Sequence, residues 1–160
     1  MTTVYNDDIL FFDGINVLDL ALSNQTPFYL YSEKIITNNF LAYQKSFKDN
    51  PHLICYSVKA NSNLSILSLL AKLGSGFDIV SGGELSRVIQ AGGDPSKTVF
   101  SGVGKTEEEI KFALSKNIMC FNIESRDELR TINTIALEKK SCANISIRIN
   151  PAIDVDTHPY

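Results

Sequence analysis

The sequence predicts an α/β fold of the (β/α)8 barrel type, in which parallel strands alternate with helices. Two observations support this prediction. Short apolar runs recur along the chain, and each is followed by a segment whose apolar residues repeat at helical spacing. Successive strand ends are about one strand–helix unit apart, and no obvious glycine fingerprint opens a Rossmann half.

The number of predicted strands is smaller than a whole barrel requires. Only five barrel strands are accounted for in the 160 residues, whereas a complete barrel has eight strands and roughly 250 residues. We therefore expect the chain to be the N-terminal part of a longer enzyme, or a truncated one.

The first residues of the chain have the weakest pattern. Ile9–Phe12 is predicted to be a strand, with a turn at Asp13-Gly14 after it. Pro27–Tyr31 is predicted to be another strand, because it is a short run of aromatic and apolar residues. Ser32 is then expected to cap a helix over residues 33–48, whose apolar residues recur at helical spacing.

The chain is organised around the apolar run that leads into Lys59. The run begins at Leu53 and is bounded by Pro51 and Asn61, which is typical of a short buried strand. Lys59 is then expected at the C-terminal edge of that strand, where parallel α/β folds bind their ligands. An amine held partly out of water favours its neutral, nucleophilic form, as a Schiff-base lysine requires. The alternative is an ordinary lysine that points into solvent.

Strand–helix units then repeat to the end of the chain. The remaining strands are predicted at residues 77–80, 98–101, 118–123 and 143–149. Helices are expected after Asn63, after residues 81–83, after Thr106 and after Ser125. Thr106 with Glu109, and Ser125 with Glu128, have the spacing of capping boxes.

Polar residues at the strand ends should converge at one edge of the sheet. The predicted set is Lys59, Asn61, Asp78, Ser101, Asn122 and Arg148. Lys59, Asp78 and Arg148 would bring together an amine, a carboxylate and a guanidinium, a trio that suits a small anionic ligand with a carbonyl that can condense with the lysine. The alternative is that Asp78 and Arg148 simply pair with each other to satisfy buried charge.

Composition and spacing exclude several other classes of protein. The net charge of −3 leaves no basic stripe for nucleic acid, and no apolar run reaches the roughly 20 residues of a membrane span. The three cysteines are far apart, and the two histidines are isolated, so we expect no metal site. The segment Gly102–Thr106 looks like the end of a P-loop but lacks its first glycine, because position 99 is Val99. Ser57 and Ser101 have no His or Asp partner that the sequence places nearby, so a serine hydrolase is unsupported.

Seven segments of the chain together carry a resemblance to a known family: Thr26–Tyr31, Tyr56–Asn61, Phe77–Leu85, Val99–Thr106, Phe121–Ser125, Arg148–Pro151 and Thr157–Tyr160. In order and spacing they resemble the diaminopimelate decarboxylase branch of the alanine-racemase-like, fold type III family of pyridoxal-phosphate (PLP) enzymes. The lysine segment alone would mark the wider family. The Ser-Gly-Gly-Glu-Leu, Gly-Val-Gly-Lys-Thr and Thr-His-Pro-Tyr pieces are more particular to this branch.

The resemblance implies a PLP-dependent carboxy-lyase that converts meso-2,6-diaminopimelate to L-lysine, the last step of lysine biosynthesis. By this resemblance Lys59 is the catalytic lysine that forms a Schiff base with PLP, and Asp78 and Arg148 also bind the cofactor. A cytoplasmic homodimer with shared active sites is implied. So is an alanine-racemase-like PLP barrel over residues 27–160, with residues 1–26 supplying a strand to an absent C-terminal β-domain. The residues that bind the phosphate, the pyridine nitrogen and the substrate would lie beyond Tyr160.

Other functions stay open at this point. The nearest alternative is a decarboxylase of another basic amino acid, such as ornithine, arginine or carboxynorspermidine. A racemase is disfavoured, because the usual tyrosine-rich flank after the lysine is missing. A non-catalytic regulator built on the same barrel is the alternative from another class. We also expect the 160-residue chain alone to be inactive and poorly soluble, because five strands leave an open sheet edge.

Overall fold

The computed structural model of the chain describes residues 3–151 and residue 153. The chain divides into two compact units, residues 1–51 and residues 52–160. The predicted assignment of residues 1–26 and 27–160 to different domains of a whole protein stays a prediction. The segment Thr157–Tyr160, which includes His158, lies outside the described residues.

The first unit begins with a small antiparallel sheet and ends with a helix. Its elements are β1 (Thr3–Asn6), β2 (Ile9–Phe12), β3 (Ile15–Asn16), α1 (Val17–Ser23) and α2 (Glu33–Ser46). The sheet order is β1-β2-β3. Two-residue turns join the strands, and all four of their residues have positive φ, from 48° to 81°. Asp and Gly tolerate this conformation, which matches the twist of a hairpin. The predicted strand at β2 and the turn at Asp13-Gly14 are confirmed, whereas β1, β3 and α1 were not predicted.

The predicted strand at Pro27–Tyr31 is wrong. No sheet in the described part of the chain includes this segment, and Tyr29 is 89% exposed. An apolar run becomes a strand only where a neighbouring strand satisfies its backbone groups. The helix that follows is confirmed, although it ends at Ser46, two residues earlier than predicted. The Ser32 hydroxyl accepts a hydrogen bond from the backbone N–H of Ile35 at 3.1 Å and donates one to Asp13 at 2.7 Å.

The second unit is a parallel sheet whose strands alternate with helices. Its strands are β4 (Cys55–Ser57), β5 (Gly76–Ile79), β6 (Thr98–Phe100), β7 (Cys120–Ile123) and β8 (Ile145–Ile147). Its helices are α3 (Leu64–Lys72), α4 (Gly82–Gln90), α5 (Glu107–Ser115) and α6 (Arg126–Glu138), with short 3-10 turns at Val58–Ala60 and Pro95–Lys97. The sheet order β4-β5-β6-β7-β8 follows the chain order, and every pair is parallel. All five predicted barrel strands are confirmed; β5 begins and ends one residue earlier than predicted, and the other four are shorter than predicted.

The two faces of this sheet differ because side chains alternate along each strand. On one face Phe77, Phe100 and Phe121 are fully buried and form the core with apolar residues of the helices. Phe100 and Phe121 stack with ring centroids 6.0 Å apart. The opposite face carries Asp78 and Asn122, which are only half-buried. The alternation therefore directs polar side chains to the face that the helices do not cover.

The caps of the barrel helices are largely as predicted. Asn63 caps α3, and Thr106 with Glu109 forms the full capping box of α5. The second predicted box is only half correct. The Ser125 hydroxyl accepts from the backbone N–H of Glu128 at 3.2 Å, but the Glu128 carboxylate accepts from the N–H of Glu124 instead of that of Ser125. Within the described residues no helix combines the length and the apolar composition needed to cross a membrane.

Candidate active site

The strand β4 delivers Lys59 to the carboxyl edge of the sheet. β4 ends at Ser57, and Val58–Ala60 then makes a single 3-10 turn. Val58 is fully buried and anchors the turn, which leaves Lys59 exposed at the edge. The predicted position of Lys59 is confirmed, although its side chain is more accessible to solvent than we expected. The hydroxyl of Tyr56 donates to the carbonyl of Asn61 at 3.2 Å and so braces the turn.

A cavity of about 530 Å³ opens at this edge, and Lys59 lines it. Five of the six predicted residues line the cavity: Lys59, Asp78, Ser101, Asn122 and Arg148. Asn61 is not among the described residues that line it. Its side-chain oxygen accepts from the backbone N–H of Asn63 at 3.0 Å, in the turn before α3. The cavity therefore brings Lys59 together with Asp78 and Arg148.

Hydrogen bonds connect the polar side chains of four neighbouring strands or strand ends. The hydroxyl of Ser57 donates to Asp78 Oδ2 at 3.3 Å, and that of Ser101 donates to Asp78 Oδ1 at 2.5 Å. The side-chain amide of Asn122 donates in turn to the Ser101 hydroxyl at 2.8 Å. Because Asp78 accepts through both oxygens, its carboxylate is held in one orientation.

Arg148 lies on the other side of the cavity and pairs with Glu124. Its Nη1 lies 3.3 Å from each carboxylate oxygen of Glu124. The Arg148 side chain is 71% exposed and that of Glu124 is 12% exposed. The structure thus shows no pairing of Asp78 with Arg148 to satisfy buried charge. Each of the two has its own partners, and both face the cavity.

Sequence reasoning missed Glu124 and Ser146, which also line the cavity. Alternation along the strands could have found Glu124, because residues two apart project to the same face and Glu124 is two residues after Asn122. Ser146 is aligned with Asn122 in the register of β7 and β8. With Glu124 included, the cavity contains two carboxylates, an amine and a guanidinium. Such a site suits a small ligand that carries charges of both signs.

The thiols of Cys55 and Cys120 are not activated nucleophiles. Burial raises the pKa of the Cys55 thiol, and the negative charge of Asp78 raises it further. Burial also raises the pKa of Cys120. A raised pKa keeps a thiol neutral and unreactive. Among the residues that the structure describes, no cluster of three or more His, Cys, Asp or Glu side chains could hold a metal ion.

Residues 33–160 match the family described as "Pyridoxal-dependent decarboxylase, pyridoxal binding domain". The chain belongs to this family. It is 56% identical over 154 residues to the diaminopimelate decarboxylase of Vibrio cholerae, covering 96% of this chain and 37% of that protein. It is 57% identical over 145 residues to that of Helicobacter pylori, covering 91% and 36%. The chain thus spans little more than a third of the length of these curated relatives.

Solved structures agree with this assignment to the pyridoxal-dependent decarboxylases. The diaminopimelate decarboxylase from Helicobacter pylori complexed with L-lysine is similar with a TM-score of 0.87 and 55% identity, covering 91% of this chain and 37% of that one. The enzyme from M. jannaschii in co-complex with L-lysine has a TM-score of 0.92 and 41% identity, covering 99% and 38%. The predicted fold class is confirmed: the second unit is the N-terminal part of a PLP-binding TIM barrel.

The residues of the cavity fit the cofactor of this family. PLP carries an aldehyde, which a primary amine can bind covalently, and Lys59, which lines the cavity, carries such an amine. The volume lies within the roughly 300–1,000 Å³ of small-molecule pockets. Ser101, Asn122 and Asp78 also line the cavity, and their hydroxyl, amide and carboxylate groups could make polar contacts with a heteroaromatic ring.

Proposed function

We propose that an enzyme containing this chain catalyses the PLP-dependent decarboxylation of meso-2,6-diaminopimelate to L-lysine. The observation that supports this most directly is that Lys59 lines one cavity together with Asp78 and Arg148. The first relatives found are all diaminopimelate decarboxylases, at 48–57% identity. The reaction product, L-lysine, is the ligand of the Helicobacter pylori structure.

We infer that Lys59 is the residue that binds the cofactor covalently. Lys59 lines the cavity, so its amine in the neutral form can attack an aldehyde carbon there. When it is not bonded to the cofactor, the same nitrogen can hold a proton or deliver one inside the cavity. PLP, when bound, supplies the electron sink that takes up the electron pair of the breaking bond between Cα and the carboxylate.

Asp78 and Arg148 are proposed to flank the cofactor as charged groups. Asp78 accepts hydrogen bonds from Ser57 and Ser101, so its carboxylate is oriented before any ligand enters. Arg148 provides a guanidinium with five N–H donors, and both of its hydrogen bonds to Glu124 use the same nitrogen, Nη1. We expect the remaining donors to orient an anionic group of the ligand.

We further propose the broader organisation that the resemblance implies. Residues 1–26, which contain the antiparallel strands β1–β3, would join a separate β-domain, and residues 27–160 would contribute to the barrel. The enzyme would act as a homodimer in the cytoplasm. Cys55, Cys120 and Cys142 are all free thiols, which supports a reducing compartment.

The experiment requires an intact chain of the relatives' length that contains this sequence. The wild-type protein should show the absorption band of the lysine-bound cofactor, change it on borohydride reduction, and release CO₂ from meso-diaminopimelate. Lys59→Ala should lose both the band and the turnover. Lys72→Ala, which changes an exposed lysine at the end of α3, is the matched control.

The outcomes separate the alternatives. A Lys59→Ala protein that keeps the band and the turnover refutes the role of Lys59. Release of CO₂ from ornithine, arginine or carboxynorspermidine, but not from diaminopimelate, moves the substrate assignment to another basic amino acid. A protein that binds a partner but no PLP is a regulator and not an enzyme.

A further inference from the structure

Lys105 is a buried charge that the proposed chemistry does not use. Its side chain is 1% exposed, and that of its partner Glu128 is 9% exposed. The ammonium donates to Glu128 Oε1 at 2.5 Å, to the carbonyl of Gly102 at 2.7 Å and to the carbonyl of Asn122 at 2.8 Å. These three bonds use all three of its donors. It also lies 5.5 Å from the centre of the Phe100 ring, within the range of a cation–π contact.

The contacts of this ion pair lead to the backbone of the cavity. The carbonyls of Gly102 and Asn122 accept hydrogen bonds from Lys105, and both residues line the cavity. The second oxygen of Glu128 accepts from the backbone N–H of Glu124 at 2.7 Å, and Glu124 also lines the cavity. Neither Lys105 nor Glu128 is among the described residues that line it. The pair therefore touches the cavity only through the residues that it holds.

The residues that the pair holds, Asn122 and Glu124, make hydrogen bonds that connect to the functional side chains on both sides of the cavity. The side chain of Asn122 donates to Ser101, which donates to Asp78. The carboxylate of Glu124 holds Arg148. We propose that Lys105 and Glu128 are a positioning pair for the cofactor site. This inference rests on the proposed function, because it assigns the two residues a task in that site.

The positioning role can be separated from a contribution to stability. Two apolar side chains of similar volume often replace a buried ion pair without loss of stability. Apolar side chains cannot donate hydrogen bonds to the carbonyls of Gly102 and Asn122, and they cannot accept a hydrogen bond from the N–H of Glu124. An apolar replacement therefore keeps the packing and removes only the contacts that set the position of the backbone.

The experiment compares three variants of the intact protein with the wild type. The double variant Lys105→Met with Glu128→Leu removes the buried pair, and Glu128→Gln keeps the shape and one acceptor oxygen. Glu107→Leu with Lys111→Met is the matched control, because this pair is solvent-exposed and 3.2 Å apart on α5. For each protein we would measure the melting temperature without cofactor, the PLP dissociation constant by titration of the apoprotein, and kcat/KM for CO₂ release.

The double variant should fold, with a melting temperature lowered only by the loss of partners for the buried backbone groups. It should bind PLP about tenfold more weakly than the wild type, because those groups no longer hold the backbone in position. Its kcat/KM should fall about 100-fold, as misplaced reacting groups typically cause. Glu128→Gln should melt below the wild type, because it leaves the Lys105 ammonium buried without its counter-charge, and it should show a smaller but measurable weakening of PLP binding. The exposed control should match the wild type in all three measurements.

The results that would overturn the inference are distinct from those that would overturn the proposed function. A stable double variant with wild-type PLP affinity and kcat/KM overturns the positioning role alone. If the double variant does not fold, Glu128→Gln decides, and wild-type values for its PLP affinity and kcat/KM overturn that role. A wild-type protein that neither binds PLP nor releases CO₂ overturns the proposed function, and the positioning role with it.

Discussion

The two hydroxyl groups that contact Asp78 are predicted to contribute unequally to the cofactor site. Ser101 donates at 2.5 Å and also accepts from Asn122, whereas Ser57 donates at 3.3 Å, near the limit of a hydrogen bond. Ser101→Ala removes a hydrogen bond to a charged group, which contributes roughly 1.5–3 kcal/mol, and it leaves the Asn122 amide without this acceptor. Ser57→Ala removes only the longer bond.

The expected magnitudes follow from this difference. Because Asp78 is only half-buried, solvent replaces part of the lost contact, and we expect Ser101→Ala to cost about 2 kcal/mol. If this cost falls on cofactor binding, the PLP dissociation constant rises about 30-fold. Ser57→Ala should raise it less than about threefold. Both variants leave the apolar core untouched, so their melting temperatures should stay near that of the wild type.

Titration of the apoprotein with PLP, followed by absorption, measures both effects in the intact protein. The comparison of two Ser→Ala variants cancels the common cost of losing a hydroxyl. The reasoning is refuted if Ser57→Ala weakens PLP binding as much as Ser101→Ala does, or if neither variant differs from the wild type. Either result would mean that the orientation of Asp78 does not depend on the shorter bond.

Two further predictions concern the supporting structure. The hydrogen bond from the backbone N–H of Thr106 holds the pKa of Glu109 below its ordinary value. The Glu109 carboxylate therefore stabilises the folded protein above pH about 4.5, and this stabilisation is lost as the pH falls through the lowered pKa. Glu109→Gln should therefore lower the melting temperature at neutral pH but not at strongly acidic pH, and an equal deficit at both would contradict this. Gly93→Ala should cost about 1–3 kcal/mol of the free energy of unfolding, because a Cβ there would lie 2.6 Å from Val88 Cγ1. Gly104→Ala is the control and should be nearly neutral, because a Cβ there would have no neighbouring atom within 4 Å. Denaturant titration measures the free energy of unfolding of both variants, and an equal loss in the two would contradict the packing argument.

Local signals predicted most of the barrel elements. The caps at Asn63 and Thr106 and the five strands of the parallel sheet were predictable because each depends on residues within a few positions of one another. The prediction was wrong at Pro27–Tyr31, where the apolar run resembles a strand but no sheet includes it. The capping box predicted at Ser125 was half correct, because the Glu128 carboxylate accepts hydrogen bonds from Lys105 and from the N–H of Glu124 instead of from the N–H of Ser125.

The sequence by itself determined the order of the strand–helix units, the position of Lys59 at a strand end, and the family to which the chain belongs. The roles of Lys59, Asp78 and Arg148 toward the cofactor stay predictions. Only the tertiary structure decided which charged groups meet. It paired Arg148 with Glu124 instead of Asp78, buried Lys105 against Glu128, and left Asn61 outside the cavity. The two ion pairs join residues that are 23 and 24 positions apart in the sequence. The register between strands and the packing of the helices control them, and no short stretch of sequence encodes that register.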